Sequence, residues 1–276
     1  MTVHADLHTH STASDGALAP DELAIRAARN GVTHLAITDH DTLAAYAGLA
    51  GDTRGRPEIV PGIEFSTTWR KIGVHIVGLN LDPSNTELLA GVEAQGRRRA
   101  ERAHKIAERL QKCGIRVRFD ELAGHREART IGRPHFAEYL VREGHVRDTA
   151  SAFRRYLGNG KPGDVRSLWP DPLQAVRWIL AAGGIPVLAH PAHYRLTTTR
   201  LRELLRDFRE HGGLGVEVVS GQQSAATTLK MGRLAVEFGL AGSCGSDFHA
   251  PIGPWTEPGR FDALPATVRP VWDLWT

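Results

Sequence analysis

The sequence predicts an α/β fold, a seven-stranded sheet closed into a barrel and interrupted by a small helical insertion. Three observations predict it. Short apolar runs alternate with amphipathic, helix-length segments along most of the chain. Several of these runs end in histidine and aspartate, as in Asp6-Leu7-His8-Thr9-His10, Thr38-Asp39-His40-Asp41 and Gly245-Ser246-Asp247-Phe248-His249. The rhythm breaks only between Gly114 and Trp169, where helical patterns occur without an apolar strand.

The elements follow in order. Val3–Leu7 reads as the first strand. A helix is expected at about Asp21–Asn30, with Pro20 at its start and Gly31 just past its end. Thr33–Ile37 is the second strand, and a short helix lies near Leu43–Leu49. Strands are expected around Glu58–Ile63 and Val74–Leu79, then a long helix over Thr86–Lys112, stopped by Cys113-Gly114. Helix Asp171–Ala182, strand Ile185–Ala189, helix Leu201–His211, strand Leu214–Val219, helix Gln223–Phe238 and strand Leu240–Gly245 complete the alternation. Such alternation indicates a parallel sheet. An open doubly wound sheet would satisfy it as well, but candidate ligands on first, middle and last strands favour closure. The chain therefore divides into residues 1–113 and 170–276 as two parts of the barrel, with 114–169 as a helical insertion expected over its mouth. That insertion is rich in arginine and has helical patterns at Pro134–Glu143 and Thr149–Leu157.

Bulk composition narrows the function classes. The 276 residues suffice for one large α/β domain or two smaller ones, with 41% hydrophobic and 24% charged residues. Two cysteines, Cys113 and Cys244, are too few for a disulfide framework and lack zinc-ribbon spacing. Without a signal peptide or a long apolar run, the chain reads as cytoplasmic, with no membrane contact and no obligate protein partner. A formal charge of +3 suits an anionic substrate but is weak for a dedicated nucleic-acid binder.

The histidine and carboxylate clusters carry the chemistry. His8 and His10 are two apart on a strand, so they share a face, and Asp247 with His249 repeats that spacing. Asp15 follows in a loop able to fold back. His40, Glu64 and His190 follow the second, third and fifth strands, and His75 begins another strand region. Each has a plainer reading alone: His75 as a backbone hydrogen-bonder, Asp15 as a turn cap, Asp41 as a helix N-cap. Together they are best explained by one shared site. Imidazole with carboxylate and without thiolate suits Mn, Fe or Zn. Nine candidate ligands exceed the needs of one ion and, with Glu64 as a bridging carboxylate, suit two or three.

Taken together, Asp6–His10, Thr38–Asp41, Glu64, Ala189-His190-Pro191 and Gly245–His249 resemble the PHP (polymerase and histidinol phosphatase) metal-dependent phosphoesterases. The resemblance implies a distorted (β/α)7 PHP barrel with a di- or trinuclear centre, taken here as Mn2+, with Fe2+, Zn2+ or Mg2+ as alternatives. It would place His8, His10, Glu64 and Asp247 on one ion. Asp15, His40 and His249 would hold a second, and Glu64, His75 and His190 a third. Asp15 stands where several relatives carry histidine, which implies a shifted affinity at that ion. The string Ser11–Gly16, the length, and the insertion with Gly132-Arg133-Pro134-His135-Phe136 are most similar to the bacterial 3',5'-nucleoside bisphosphate phosphatases, a group that also trims short RNAs from the 5' end.

The substrate is expected to be read by arginines. Arg99 and Arg102 lie three apart on the long helix and can share a face, either solvated or gripping a second phosphate. Arg133 and His135 are similarly placed, His193 is a weaker candidate, and Trp69 or Phe136 could stack on a base. No side chain is assigned as nucleophile, since a metal-activated water would serve, and Ser11 and Ser14 lack a base arranged with them. The leading expectation is thus a phosphatase converting a nucleoside 3',5'-bisphosphate such as pAp to AMP and phosphate. A 5'-to-3' exoribonuclease on short 5'-phosphorylated RNA is the alternative. Histidinol phosphatase and amidohydrolase are weaker readings, the latter because the middle strands end in Glu64 and His190 rather than lysine.

Overall fold

The computed structural model describes residues 3–49, 55–124, 127–165, 168–253 and 256–275. Arg126 and Arg166 of the insertion lie outside them. Two compact units are present, one made of Met1–Val92 with Pro170–Thr276 and the other of Glu93–Trp169.

The first unit holds a seven-stranded sheet with strands in sequence order. They are β1 (Ala5–Asp6), β2 (His34–Ile37), β3 (Glu58–Trp69), β4 (Ile72–Leu79), β5 (Ile185–Leu188), β6 (Gly215–Ser220) and β7 (Ala241–Gly245). Beyond its ladder the sheet nearly closes. Leu7 N–H donates to Cys244 O at 3.0 Å, His10 N–H to Phe248 O at 2.9 Å and Asp247 N–H to His8 O at 2.9 Å, tying the first strand to the last. A barrel is the observed architecture, and closure removes the sheet edges.

The expectation of an all-parallel sheet needs correcting. β4 runs antiparallel to both β3 and β5. Only Arg70 and Lys71 separate β3 from β4, and both have positive φ, 44° and 70°. Two such residues make a hairpin turn, far too short for the crossover that a parallel neighbour requires. β3 also extends to Trp69, well past the predicted Ile63. His75 therefore lies inside a hairpin strand, opposite Ser66, and not at a strand end. Because β4 is reversed, its early residues lie beside the C-terminal ends of its neighbours, and His75 O accepts from Ala189 N–H at 3.1 Å. The reversal brings His75 next to His190.

The strands are buried on both faces, as in Ile185–Leu188 and Gly215–Ser220, which explains their continuous apolar runs. Leu7, Val77, Leu79, Val187 and Ala189 are among the apolar residues packed along the strands, and helices Pro20–Arg29, Pro172–Ala181, Thr198–Glu210 and Ala225–Glu237 cover the sheet. Asp171, Thr197 and Ser224 cap the last three, each side chain accepting a backbone N–H of the first turn.

The second unit has its own core, built on Ile106, Leu110, Phe136, Tyr139, Leu140 and Leu157. It contains the rest of helix Thr86–Gln111, helix Arg133–Arg142 and a short helix at Thr149–Ala152 that widens into a π-type turn over Phe153–Leu157. Among its described residues there is no strand.

Candidate metal centre

A single buried carboxylate, Glu64, gathers five imidazoles; it lies in the middle of β3 and not after the strand as expected, because β3 runs on to Trp69. Glu64 Oε1 lies 2.8 Å from His75 Nδ1, 2.9 Å from His190 Nε2 and 3.4 Å from His8 Nε2. Its other oxygen, Oε2, lies 2.7 Å from His40 Nδ1 and 3.4 Å from His10 Nε2. Around this hub, Asp247 Oδ1 stands 3.5 Å from His8 Nε2 and 3.4 Å from His10 Nε2. Asp15 reaches His10, His40 and His249 at 3.7, 3.7 and 3.5 Å. All nine residues singled out in the sequence are thus brought together. They form four overlapping groups able to hold an ion: His10-Asp15-His40-His249, His8-His10-Asp247, His8-Glu64-His190 and His40-Glu64-His75.

The donor set fits divalent metal. Ligands bonded at about 2.0–2.2 Å to one ion lie roughly 3.0–3.5 Å apart, which is the spacing among His8 Nε2, His10 Nε2 and Asp247 Oδ1. His8 Nε2 and His10 Nε2 approach to 3.1 Å, as two lone pairs aimed at one ion would. Glu64 Oε2 is buried and, though 2.7 Å from His40 Nδ1, has no well-aligned hydrogen bond among the described residues. A buried polar atom without a partner is costly, and coordination would satisfy it.

Local structure explains how the ligands are held. Three of the strand-end residues have positive φ: Asp41 at 57°, His190 at 27° and Asp247 at 52°. Non-glycine residues rarely adopt such backbones, which concentrate at functional sites. Each of these N–H groups is anchored within the site. Asp41 donates to Glu64 O at 2.9 Å, Asp247 to His8 O at 2.9 Å and His190 to Glu217 Oε2 at 2.5 Å. Asp41 Oδ1 in turn accepts from Ser66 N–H at 2.8 Å, so it pins β3 instead of capping a helix. The Asp15 loop folds back because Gly16 passes close to His10, where a Cβ would lie 2.2 Å from His10 O. Asp39 fastens the same loop, accepting from Ser11 N–H at 2.8 Å and from the Ser11 and Ser14 hydroxyls at 2.5 Å each.

The electrostatics are those of a charge-matched cluster. Burial works against ionisation of Glu64, yet His40, His75 and His8 hold it well below the usual carboxylate range. Asp247 is likewise depressed against its burial, chiefly by His8. Burial also disfavours the His8 imidazolium, but Glu217, Glu64 and Asp247 raise it well above its ordinary value. His10 goes the other way, pushed down to about 3 by burial and by His249. Neighbouring histidines are thus driven in opposite directions within one buried cluster of imidazoles and carboxylates.

Sequence reasoning missed Glu217. It is 2% exposed, and its Oε1 lies 2.7 Å from His8 Nδ1. The available signal was a carboxylate inside the apolar strand Gly215–Ser220. Tyr194 was missed too; its hydroxyl accepts from His75 N–H and donates to Ala189 O, both at 2.8 Å. The aromatic suggestions are corrected. Phe136 is fully buried in the second unit's core, and Trp69 is buried with its indole N–H donating to Asp207 at 2.9 Å, so neither ring is free to stack on a base. His193 stacks on His190, with ring centroids 5.7 Å apart.

Arg99, Arg102, Arg133 and His135 belong to the second unit. Arg99 and Arg102 are 4% and 5% exposed, so they do not form a solvated helix face. Both lie over the Trp169 ring, at 5.4 and 5.2 Å, and Arg102 Nε donates to Val165 O at 2.7 Å. Arg133 donates to Leu157 O at 3.2 Å, and His135 Nδ1 accepts from Gly132 N–H at 2.9 Å.

Comparison with known proteins shows the family. The PHP domain family model matches residues 6–131. The chain is 42% identical to a 5'-3' exoribonuclease of Haemophilus influenzae over 99% of both chains. This chain belongs to the PHP family. It is also 42% identical to a 3',5'-nucleoside bisphosphate phosphatase of Chromobacterium violaceum, over 97% of this PHP protein and 94% of that one. A solved structure from Chromobacterium violaceum, described as an amidohydrolase with bound sulfate and no metal, superposes with a TM-score of 0.91 at 40% identity, covering 99% and 96% of the two chains. A solved structure from Bifidobacterium adolescentis, described as a metal-dependent phosphoesterase, superposes with a TM-score of 0.80 at 25% identity, covering 98% and 93% of the two chains.

Proposed function

We propose that this PHP protein is a metal-dependent phosphoric monoester hydrolase that removes the 3'-phosphate of nucleoside 3',5'-bisphosphates, taking pAp to AMP and phosphate. The observation that carries the reading is Glu64, whose two oxygens face different sets of histidines, three on one side and two on the other. A carboxylate shared in that way suits adjacent cations better than one. His8, His10 and Asp247 would hold one ion, Asp15, His40 and His249 another, and Glu64, His75 and His190 would complete a third. Divalent ions held there, Mn2+ in our reading, would neutralise a phosphoryl group's charge and activate a water. The protein's own part is to fix the donors in place on the strands and their following loops and to keep Glu64 buried away from bulk water. The phosphatase relative and the sulfate in the Chromobacterium violaceum structure support an oxyanion substrate. We place a second phosphate with Arg99, Arg102, Arg133 and His135, since guanidinium groups suit bidentate phosphate contact. The setting is cytoplasmic nucleotide metabolism, and no helix among the described residues is long and apolar enough to cross a membrane.

A second reading rests on a specific observation. The Haemophilus influenzae relative, at the same 42% identity, is a 5'-3' exoribonuclease. Both activities break a P–O3' bond with the ribose 3'-hydroxyl leaving, and they differ in what stays on the phosphorus: nothing further in pAp, the rest of the RNA chain in an oligonucleotide. One assay separates them: purified protein with Mn(II), offered pAp, a 5'-phosphorylated trinucleotide and histidinol phosphate side by side, with a chelator control. The proposal expects the highest kcat/KM on pAp, slower trimming that weakens with salt, and loss of both with chelator. Faster turnover of the trinucleotide at physiological salt would make RNA processing the main function, and turnover that survives chelation would remove the metal from the reading.

A further inference from the structure

Glu217 touches two members of the cluster without belonging to any of the four ion-holding groups. It sits in β6 between Val216 and Val218, deep enough to be 2% exposed. The register of β6 against β7 shifts between Glu217 and Val219, so the strand carries a bulge where this side chain leaves it. Bulges next to active sites re-aim side chains. Here one oxygen, Oε1, meets His8 Nδ1 at 2.7 Å, and the other, Oε2, accepts the backbone N–H of His190 at 2.5 Å.

We propose that Glu217 is a positioning residue that fixes the tautomer of His8 and the backbone of His190 together, so that one carboxylate presets two ligands from different strands. This rests on the reading of the cluster as a metal centre. An ionised carboxylate only accepts hydrogen bonds, so His8 must carry its hydrogen on Nδ1. In the singly protonated imidazole that metal binding requires, the lone pair is then on Nε2, and Nε2 is the atom facing Glu64, Asp247 and His10. The second oxygen holds His190 at φ 27° and ψ 53°, a strained backbone that persists only where surroundings enforce it. From that backbone His190 Nε2 reaches Glu64 at 2.9 Å.

Glutamate is needed because both of its oxygens accept. Glutamine has one acceptor and one donor end. With its NH2 toward His8, it drives the imidazole hydrogen onto Nε2 and blocks the coordinating lone pair. With its NH2 toward His190, it sets a donor against a donor and releases the strained backbone. Either orientation damages one ligand while the volume of the side chain is conserved.

The test compares wild type, E217Q and E217D by metal content and Zn(II) affinity at graded free metal, alongside thermal unfolding of the metal-free proteins. Outer-shell partners of this kind are worth roughly 10–100-fold in metal affinity, and that loss is expected for E217Q at one ion, with partial recovery in E217D and little change in metal-free folding. If wild type itself binds no metal, the metal-centre reading falls and this one with it. If wild type binds and E217Q binds equally tightly, only the role of Glu217 falls. Long-range 1H–15N correlation on Zn-loaded wild type reads the tautomer directly, even should E217Q fail to fold. His8 protonated at Nδ1 is the expected result, and His8 protonated at Nε2 overturns the proposal.

Discussion

His40 and Glu64 meet across an isolated parallel bridge, with the histidine's Nδ1 2.7 Å from the glutamate's Oε2. The contact joins the loop after β2 to the middle of β3, and the rest of the centre is arranged around it. Four further histidines come within 3.4 Å of the same carboxylate, so its charge offsets a whole ring of imidazoles.

Glu64→Gln therefore has a distinctive expected outcome. The amide conserves volume but offers one acceptor, no charge, and an NH2 facing nitrogens that must keep lone pairs. Metal affinity should fall by more than the roughly 10–100-fold typical of an outer-shell loss, and metal-dependent turnover should fall with it. Elemental analysis after dialysis checks the first and pAp turnover the second. A Glu64→Gln protein with full metal content contradicts the bridging role.

Gly245 tests how the barrel's closure serves the site. A Cβ there would lie 2.4 Å from His8 Cβ and 2.7 Å from His8 N, and backbone atoms cannot swing aside. Gly245→Ala should push β7 off the first strand, costing about 1–3 kcal/mol of stability as overpacking does. It should also weaken metal binding beyond that seen in Phe208→Leu, a core change on helix Thr198–Glu210. Equal metal affinity in the two variants, measured at matched folded fraction, would show that the seam does not position His8.

The metal-free and metal-loaded proteins should respond to pH in opposite ways. Glu217, Glu64 and Asp247, overcoming burial, raise His8, and Glu64 raises His190 in the same manner. A histidine raised on folding contributes stability that is full below its unfolded value near 6.5 and is lost as pH climbs through the folded value. The metal-free protein should therefore melt at lower temperature as pH rises above neutral. Metal needs those same imidazoles deprotonated, so its apparent affinity should increase over that range. On the acid side, Glu64 and Asp247 contribute stability that is lost only as pH falls through their lowered values. Thermal scans from about pH 6.5 to about pH 9, with and without chelator, read both trends. A chelated protein more stable at the alkaline end would refute the assigned direction.

Much of this was legible in the sequence because strand periodicity and strand-end histidines are local signals. His8 and His10 share a face by the geometry of one strand, and His190 and Asp247 follow apolar runs that could only be buried strands. The hairpin was not legible, since alternation reports that strands exist and not their direction. Only the turn at Arg70 and Lys71 decides it, and neither residue is the glycine or asparagine that usually announces such a turn. Glu217 was hidden for another reason: its partners, His8 and the His190 backbone, are 209 and 27 residues away. The arginine spacing told which side chains share a helix face but not that Trp169 covers Arg99 and Arg102.

That burial sharpens the last prediction. Arg99 and Arg102 are both held over Trp169, and Arg102 is anchored on Val165 O at 2.7 Å. Guanidinium groups fixed in this way have little side-chain freedom left to lose, so a phosphate they bind is gripped by preset donors. If they take the second phosphate of a bisphosphate, Arg99→Ala and Arg102→Ala should raise KM for pAp by tenfold or more, since a hydrogen bond to a charged group contributes about 1.5–3 kcal/mol. An aryl phosphate has one phosphoryl group, so its kcat/KM should change far less. Removing a buried arginine also strips packing from Trp169, and thermal unfolding measures that cost separately. Losses that are equal on the two substrates, and that track the drop in melting temperature, would make the pair a structural clamp of the second unit and leave the second phosphate without these ligands.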